Sequence, residues 1–409
     1  MFASQSNNVR RGRVVLTFAL VLLLIEFLDE LVFGVGEAAW PLIRADLGLS
    51  YLQIGLLLSV PRLVGSAVEP FLCLLGDLGH RRAIVLGGGL LFALACALSG
   101  LARDFLVLLL SFVLFNPSSG AFVGLSQATL MDLEPRRHEQ MMARWTLAGS
   151  LGVVAGPLAL GAALWLGAGW RAAFIALAAI ALLLVGLAAR HQFPRASAAE
   201  GHDLRAGFQE ALRALRRPAV LRWLALLEFS DFMLDILLGF LALYMVDVAG
   251  ATPEQGALAV AVWAGVGLVG DALLIPLLER VRGLSYLRVS AAIMLVLYPA
   301  FLLTPVFELK LIWLALLGLF NSGWYAILKG QLYASMPGQS GTVLAVDSLF
   351  GLAAGFVPAL LGWVGEQFGL PVTMWVLLLG PVALLLGLPR ASASPARPAD
   401  EPAPVQPLD

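Results

Sequence analysis

Charge is scarce in this chain. Of its 409 residues only 13% are Asp, Glu, Lys or Arg and 60% are apolar, whereas soluble domains carry roughly 25% charged residues. No water-facing surface can be built from that balance, whatever the number of domains. The net charge is −1, which excludes a global field directed at nucleic acid. Cysteine is almost absent: Cys73 and Cys96 both lie in apolar runs, so no disulfide or zinc framework follows and small apolar packing is the plain reading. The histidines are His80, His138, His191 and His202. All fall in loops or near the ends of apolar runs, so none is expected deep in a membrane. No GxxxxGKS/T loop occurs, which excludes an ATP-driven pump within this chain. No Ser/His/Asp set, His/Glu metal cluster or GxGxxG loop stands at a membrane face. Neither an enzyme nor a resident cofactor or metal is expected.

Long apolar runs are present in number. A membrane-crossing helix needs roughly 20 mostly apolar residues. Such runs lie near 14–42, 51–75, 83–101, 105–131, 140–167 and 170–190, then near 219–246, 255–278, 284–304, 309–334, 341–366 and 370–389. The first is too long for a signal-peptide core of about 7–15 residues, so it reads as a retained span. The predicted organisation is an N-terminal tail over 1–13, a six-helix half over 14–190 and an Arg-rich linker over 191–218. A second six-helix half over 219–390 and an Ala/Pro-rich tail over 391–409 follow. With the N-terminus inside, the basic residues divide nineteen to four between inner and outer segments, with Arg44, Arg103, Arg171 and Lys310 outside. That bias predicts cytoplasmic termini in a cell (inner) membrane. Arg62, Arg144 and Lys329 are left within spans.

Sliding the chain on itself by about 202 positions aligns the halves. Glu26-Phe27-Leu28-Asp29 meets Glu228-Phe229-Ser230-Asp231 at 202, Glu69 meets Asp271 at 202, and Phe115-Asn116 meets Phe320-Asn321 at 205. Gly156-Pro157 and Gly161 parallel Pro358 and Gly362. Two related six-span halves place a ligand site at their interface near mid-membrane.

The charges inside spans are patterned. Glu26, Asp29, Glu30 and Glu37 share one face of the first span, since at about 100° per residue they fall within about 100° of one another. Glu228, Asp231 and Asp235 follow i, i+3, i+7 on span 7. Ser59, Arg62, Ser66 and Glu69 do so on span 2, between Pro61 and Pro70. Asn116 and Gln127 lie on span 4, Arg144 on span 5, Asp271 on span 8, Asn321, Tyr325 and Lys329 on span 10, and Asp347 on span 11. An ion at a helix centre costs about 2.5–3.5 kcal/mol even on the mild insertion scale, so these groups must face the bundle interior or water. Spans 3, 6, 9 and 12 are almost purely apolar. Eight polar spans around a cavity with four packed outside is the expected architecture. Arg62 is expected to pair with Glu26, Asp29 or Glu69, and Lys329 or Arg144 with a carboxylate. Glu37 reads equally well as an interior acid or as a solvated one near the outer surface. Interior acids outnumber bases, and crowded, desolvated carboxylates can exchange protons near neutral pH. Glu26, Asp29 and Glu228 are the strongest candidates.

Two motifs carry a resemblance. The loop Gly76-Asp77-Leu78-Gly79-His80-Arg81-Arg82 is similar to the signature loop of the major facilitator superfamily. Asp77, Arg81 and Arg82 match, while Leu78 and His80 depart from it. Gly152-Val153-Val154-Ala155-Gly156-Pro157 looks like the glycine-proline motif of that family's antiporter branch, with the last glycine of the motif, Gly161, one position late. The resemblance implies an all-α membrane protein of twelve transmembrane helices in two pseudo-symmetric six-helix bundles, the major facilitator fold. It also implies a gating role for Asp77, Arg81, Arg82, Gly152, Gly156 and Pro157. The plainer readings are a positive stop signal for the loop and close helix packing for the glycines. The arginine usual on span 4 of proton-coupled members is missing. Asn116 stands before Gly120 instead, and Arg144 or Arg62 is left as a substitute.

The function expected is a secondary active transporter working by alternating access, with proton-coupled export of a small cationic or amphipathic molecule. Trp40, Trp145, Trp263 and Trp324 are candidate aromatic contacts for a cation. A proton- or cation-coupled nutrient importer is the alternative in the same class, and a non-transporting membrane receptor or enzyme the alternative in another. The partners expected are the small-molecule substrate, protons and the lipid bilayer, with the chain a monomer and no nucleic acid bound.

Overall fold

The computed structural model describes residues 2–75, 80–133, 138–193, 213–336 and 340–389. Among them the chain runs through twelve helices: α1 Phe2–Leu47, α2 Tyr51–Leu75, α3 Arg81–Leu101, α4 Phe105–Leu133, α5 His138–Trp165, α6 Gly169–Ala189, α7 Pro218–Val248, α8 Pro253–Leu278, α9 Gly283–Leu303, α10 Phe307–Ala334, α11 (Ser340–Ala354 continuing as Val357–Phe368) and α12 Leu370–Gly387. Eleven are long and apolar enough to cross a membrane. The helix outside that set is α1, which carries Glu26, Asp29, Glu30 and Glu37.

Local chemistry sets several boundaries. Asp104 caps α4 by accepting from the Val107 amide at 3.0 Å. Thr252 and Gln255 form a reciprocal capping box ahead of α8, with Pro253 at its first position. The apolar side chains left outward, such as Leu90, Leu91, Leu182, Leu183, Val289, Val296 and Leu386, lie on α3, α6, α9 and α12. In water such a surface would be an aggregation site. In lipid it is the required one.

The helices form two six-helix bundles, α1–α6 and α7–α12. Small residues let them approach closely. A Cβ added to Gly156 of α5 would come within 2.6 Å of the Val35 amide nitrogen and 2.7 Å of Gly34, both in the backbone of α1. Between the halves, a Cβ on Gly55 of α2 would meet the Pro358 carbonyl of α11 at 2.5 Å. The Gly156-Pro157 pair therefore does packing work, and α5 runs unbroken through Pro157. Gly156→Leu is expected to destabilise the bundle by about 1–3 kcal/mol or more through overpacking against backbone that cannot yield, read as a lower melting temperature in detergent. An unchanged melting curve would place the contact elsewhere.

Three helix interruptions face the interior, where exposed backbone groups find partners in other helices. Helix α7 breaks between Asp231 and Asp235, and Asn321 of α10 donates its side-chain amide to the freed Met233 carbonyl. Helix α10 breaks at Gly323, whose φ of 73° suits glycine, and Asp271 of α8 accepts from the Gly323 amide at 2.9 Å. Helix α11 restarts at Val357, and Ser59 of α2 accepts from the Ala359 amide at 2.9 Å. That hydroxyl acts as an N-cap supplied from the opposite half.

Candidate functional site

The α1 acids are distributed over two neighbours. Glu26 is buried, 8% exposed, and faces α5, where a Cβ on Gly149 would lie 2.6 Å from Glu26 Oε1 and 3.4 Å from Glu30 Cγ. Gly152 is pressed against the Phe27 carbonyl and Glu30 Cβ. The glycines at 149, 152 and 156 thus make one stripe that lets α1 bring two carboxyls against α5. Asp29 turns the other way, toward α4, and accepts from Ser119 Oγ at 3.0 Å.

Arg62 departs from its expected partners. It bridges the halves: Nη1 lies 3.4 Å from Asp231 Oδ2 and Nη2 lies 3.2 Å from Asp235 Oδ2. The break in α7 makes this possible, because it offers both carboxyls to α2. Glu228 is half-buried one turn earlier on α7. Lys329 of α10 pairs with Asp347 of α11, as one of the expected pairings had it, and its Nζ stands 5.7 Å from the Tyr325 ring centroid. Arg144 is exposed on α5. Asn116 presses on α2 at Gly65, where a Cβ would meet Asn116 Oδ1 at 2.5 Å. The side chain of Glu69 lies outside the described residues.

Of the loop residues, Asp77 lies outside the described residues. Arg81 pairs with Asp132 at the end of α4. Arg82 Nη2 donates to the Ala189 carbonyl at 2.8 Å, a cation on the C-terminal carbonyls of α6. Both arginines therefore bind within the first bundle.

A cavity of about 230 Å³ opens between the halves. Its wall takes Glu37 from α1, Arg62 from α2, Asn116 from α4 and Asp235 from α7, with Pro358 of α11. The remainder is largely apolar and aromatic, including Phe33, Trp40, Phe112, Phe115 and Phe174. Glu37 is 6% exposed. It is thus an interior acid and not a solvated one, and its Oε2 accepts from Trp40 Nε1 at 3.1 Å.

A second group of contacts joins the halves at the end of the bundle where α1 meets α2. Arg44 Nη1 donates to Asp247 Oδ2 at 3.0 Å, and Tyr51 Oη donates to the same oxygen at 3.0 Å. The Tyr51 amide donates to Glu366 Oε2 at 3.0 Å, and the Arg44 guanidinium lies 4.3 Å over the Tyr51 ring. Sequence reasoning missed this cluster, because each member is a single polar residue at a helix end. Lys310, read as an outer-segment base, lies in the first turn of α10 and is buried. It donates to the Phe301 carbonyl at 2.8 Å and to Tyr244 Oη at 3.0 Å, which ties α10 to α7 and α9.

Comparison with known proteins agrees with this architecture. The family profile described as Major Facilitator Superfamily matches residues 22–355. The "Inner membrane transport protein YdhP" of Escherichia coli (strain K12) is 27% identical over 229 residues, which is 54% of this chain. The match covers 57% of that protein, so the chain spans little more than half the length of this curated relative. Among solved structures, a bacterial homologue of the human lysosomal transporter Spinster, inward-facing and unoccupied, superposes with a TM-score of 0.68 at 20% identity, covering 92% of this chain and 94% of that one. The nucleoside transporter NupG gives a TM-score of 0.71 at 12% identity, covering 91% of this chain and 97% of that one. At those identities the two structures share the fold.

Proposed function

The chain belongs to the major facilitator superfamily, and from that premise we propose that it is a proton-coupled exporter of a small cationic or amphipathic molecule, working by alternating access. It is a multi-pass membrane transporter and not an enzyme. The observation that carries the finer reading is the charge balance around the cavity. Two acids, Glu37 and Asp235, line it against one cation, Arg62, which is already shared between Asp231 and Asp235, and Glu26 and Glu30 add two more carboxyls along α1 where it meets α5. An acidic interior disfavours anionic substrates, which need a basic pocket, and favours a cation that can exchange with a proton. Both termini lie in the cytoplasm in this reading, supported by the nineteen-to-four basic bias, so the Arg44 end faces outward. The chain acts as a monomer.

The test is flux in proteoliposomes with benzyltrimethylammonium as the probe. With the interior acidified, uptake is expected to rise and to collapse on adding a protonophore, because each outgoing proton drives a cation inward. Uptake driven instead by acid outside would make the chain a proton symporter, and uptake indifferent to the pH gradient would remove proton coupling.

A further inference from the structure

We propose that Glu37 is the anchor for a small organic monocation bearing an aromatic ring, held in the cavity between the halves apart from the coupling acids nearer the α1 N-terminus; the proposal rests on the cationic reading above. Three observations converge on it. First, Glu37 lines the cavity and is 6% exposed, yet among the described residues its carboxylate accepts a single indole N–H, from Trp40 three residues along the same helix. A carboxylate has two oxygens and about four acceptor sites, and a buried carboxylate is costly unless a counter-charge compensates it. The protein charges nearby are otherwise engaged, since Arg62 bridges Asp231 and Asp235. The wall then holds two acids, Glu37 and Asp235, against the single cation Arg62, and a cationic ligand would balance it.

Second, the wall is aromatic. Trp40 and Phe112 meet edge to face at 5.7 Å, and Phe33, Phe115 and Phe174 complete the lining. Such rings attract a desolvated ammonium through their electron-rich faces and also accept an aryl group. Third, the volume is small. About 230 Å³ falls below the roughly 300–1,000 Å³ of drug-sized sites, so the occupant is a compact cation and not a large lipophilic drug. Glu37 also reaches the other half: a Cβ on Gly239 of α7 would lie 3.4 Å from Glu37 Oε2. A cation seated on Glu37 would therefore touch both bundles, as a transported ligand must if its binding is to bias their arrangement.

The experiment is equilibrium binding to the purified full chain in detergent, which requires no coupling. The probes are benzyltrimethylammonium and benzylsulfonate, two compounds of similar size and opposite charge. Wild type is expected to bind the ammonium and not the sulfonate. Glu37→Gln is expected to lose at least about tenfold in affinity, as removal of a buried charge partner does, and Glu37→Asp to restore part of it. A second measurement covers the case in which Glu37→Gln fails to fold. Gly36 lines the cavity and a Cβ there meets nothing within 4 Å. Gly36→Cys, with Cys73 and Cys96 replaced by Ala, should therefore be alkylated more slowly in the ammonium and at the normal rate in the sulfonate. Equal affinity of wild type and Glu37→Gln for the ammonium, or equal alkylation rates in both probes, would overturn the anchor and leave the export reading standing. Failure of wild type to bind the ammonium would overturn both.

Discussion

A Glu26→Gln, Asp29→Asn double variant in liposomes is expected to lose nearly all pH-gradient-driven flux. Both substitutions keep size and hydrogen-bonding shape. The amide placed at position 29 can still meet Ser119, whose hydroxyl lies 3.0 Å from the Asp29 carboxyl, and the amide placed at position 26 can still fill the space cleared by Gly149. What the amides cannot do is take up and release a proton. Coupling between two ligands is typically worth about 1–3 kcal/mol, or about 5–150-fold, so loss of the gradient's effect on flux is expected to approach about 100-fold. The measurement is initial uptake of benzyltrimethylammonium with and without an acid interior, on protein shown to be monodisperse. Full gradient-driven flux in the double variant would remove these two acids from coupling and leave Glu30 or Glu228 to be tested next.

Much of this interior was readable from residue spacing. The single acidic face of the first span and the contrast between eight polar helices and four apolar ones follow from the cost of ions in lipid, and the recurrence of Glu-Phe-x-Asp at an offset of 202 marks the two related halves. What spacing did not reveal came from backbone irregularity. Spacing points Arg62 to partners on α1 and α2 because Phe232-Met233-Leu234 carries no Gly or Pro to announce the break that presents Asp231 and Asp235. Glu37 stayed ambiguous because the apolar run fades near residue 42. In the structure α1 continues to Leu47, and Glu37 is buried where α1 faces Gly239 of the second half. The contact of Arg44 with Asp247 joins residues 203 apart in sequence, and no local period encodes such a pair.

Replacing Asp247 with Asn is expected to open the Arg44 end of the molecule. One oxygen of Asp247 receives both Arg44 and Tyr51, each at 3.0 Å. The Tyr51 amide is held by Glu366 of α11, so α1 and α2 of the first half are fastened to α7 and α11 of the second. These bonds must break whenever that end opens, and they exist only while it is closed. Charge-assisted bonds contribute about 1.5–3 kcal/mol when protected, and the pair here is 32% and 19% exposed, so solvent screening reduces the effect to about 1–2 kcal/mol. That is a shift of about 5–30-fold in a two-state equilibrium. Spin labels on Ala45→Cys and Gln367→Cys, both at exposed positions of opposite halves, with Cys73 and Cys96 replaced by Ala, should show a larger long-distance population when Asp247→Asn is added than in the labelled parent. High salt should move the parent protein the same way, because exposed ion pairs are screened. Identical distance distributions would show that the small-residue contact of Gly55 with Pro358, and not the charge cluster, holds this end shut.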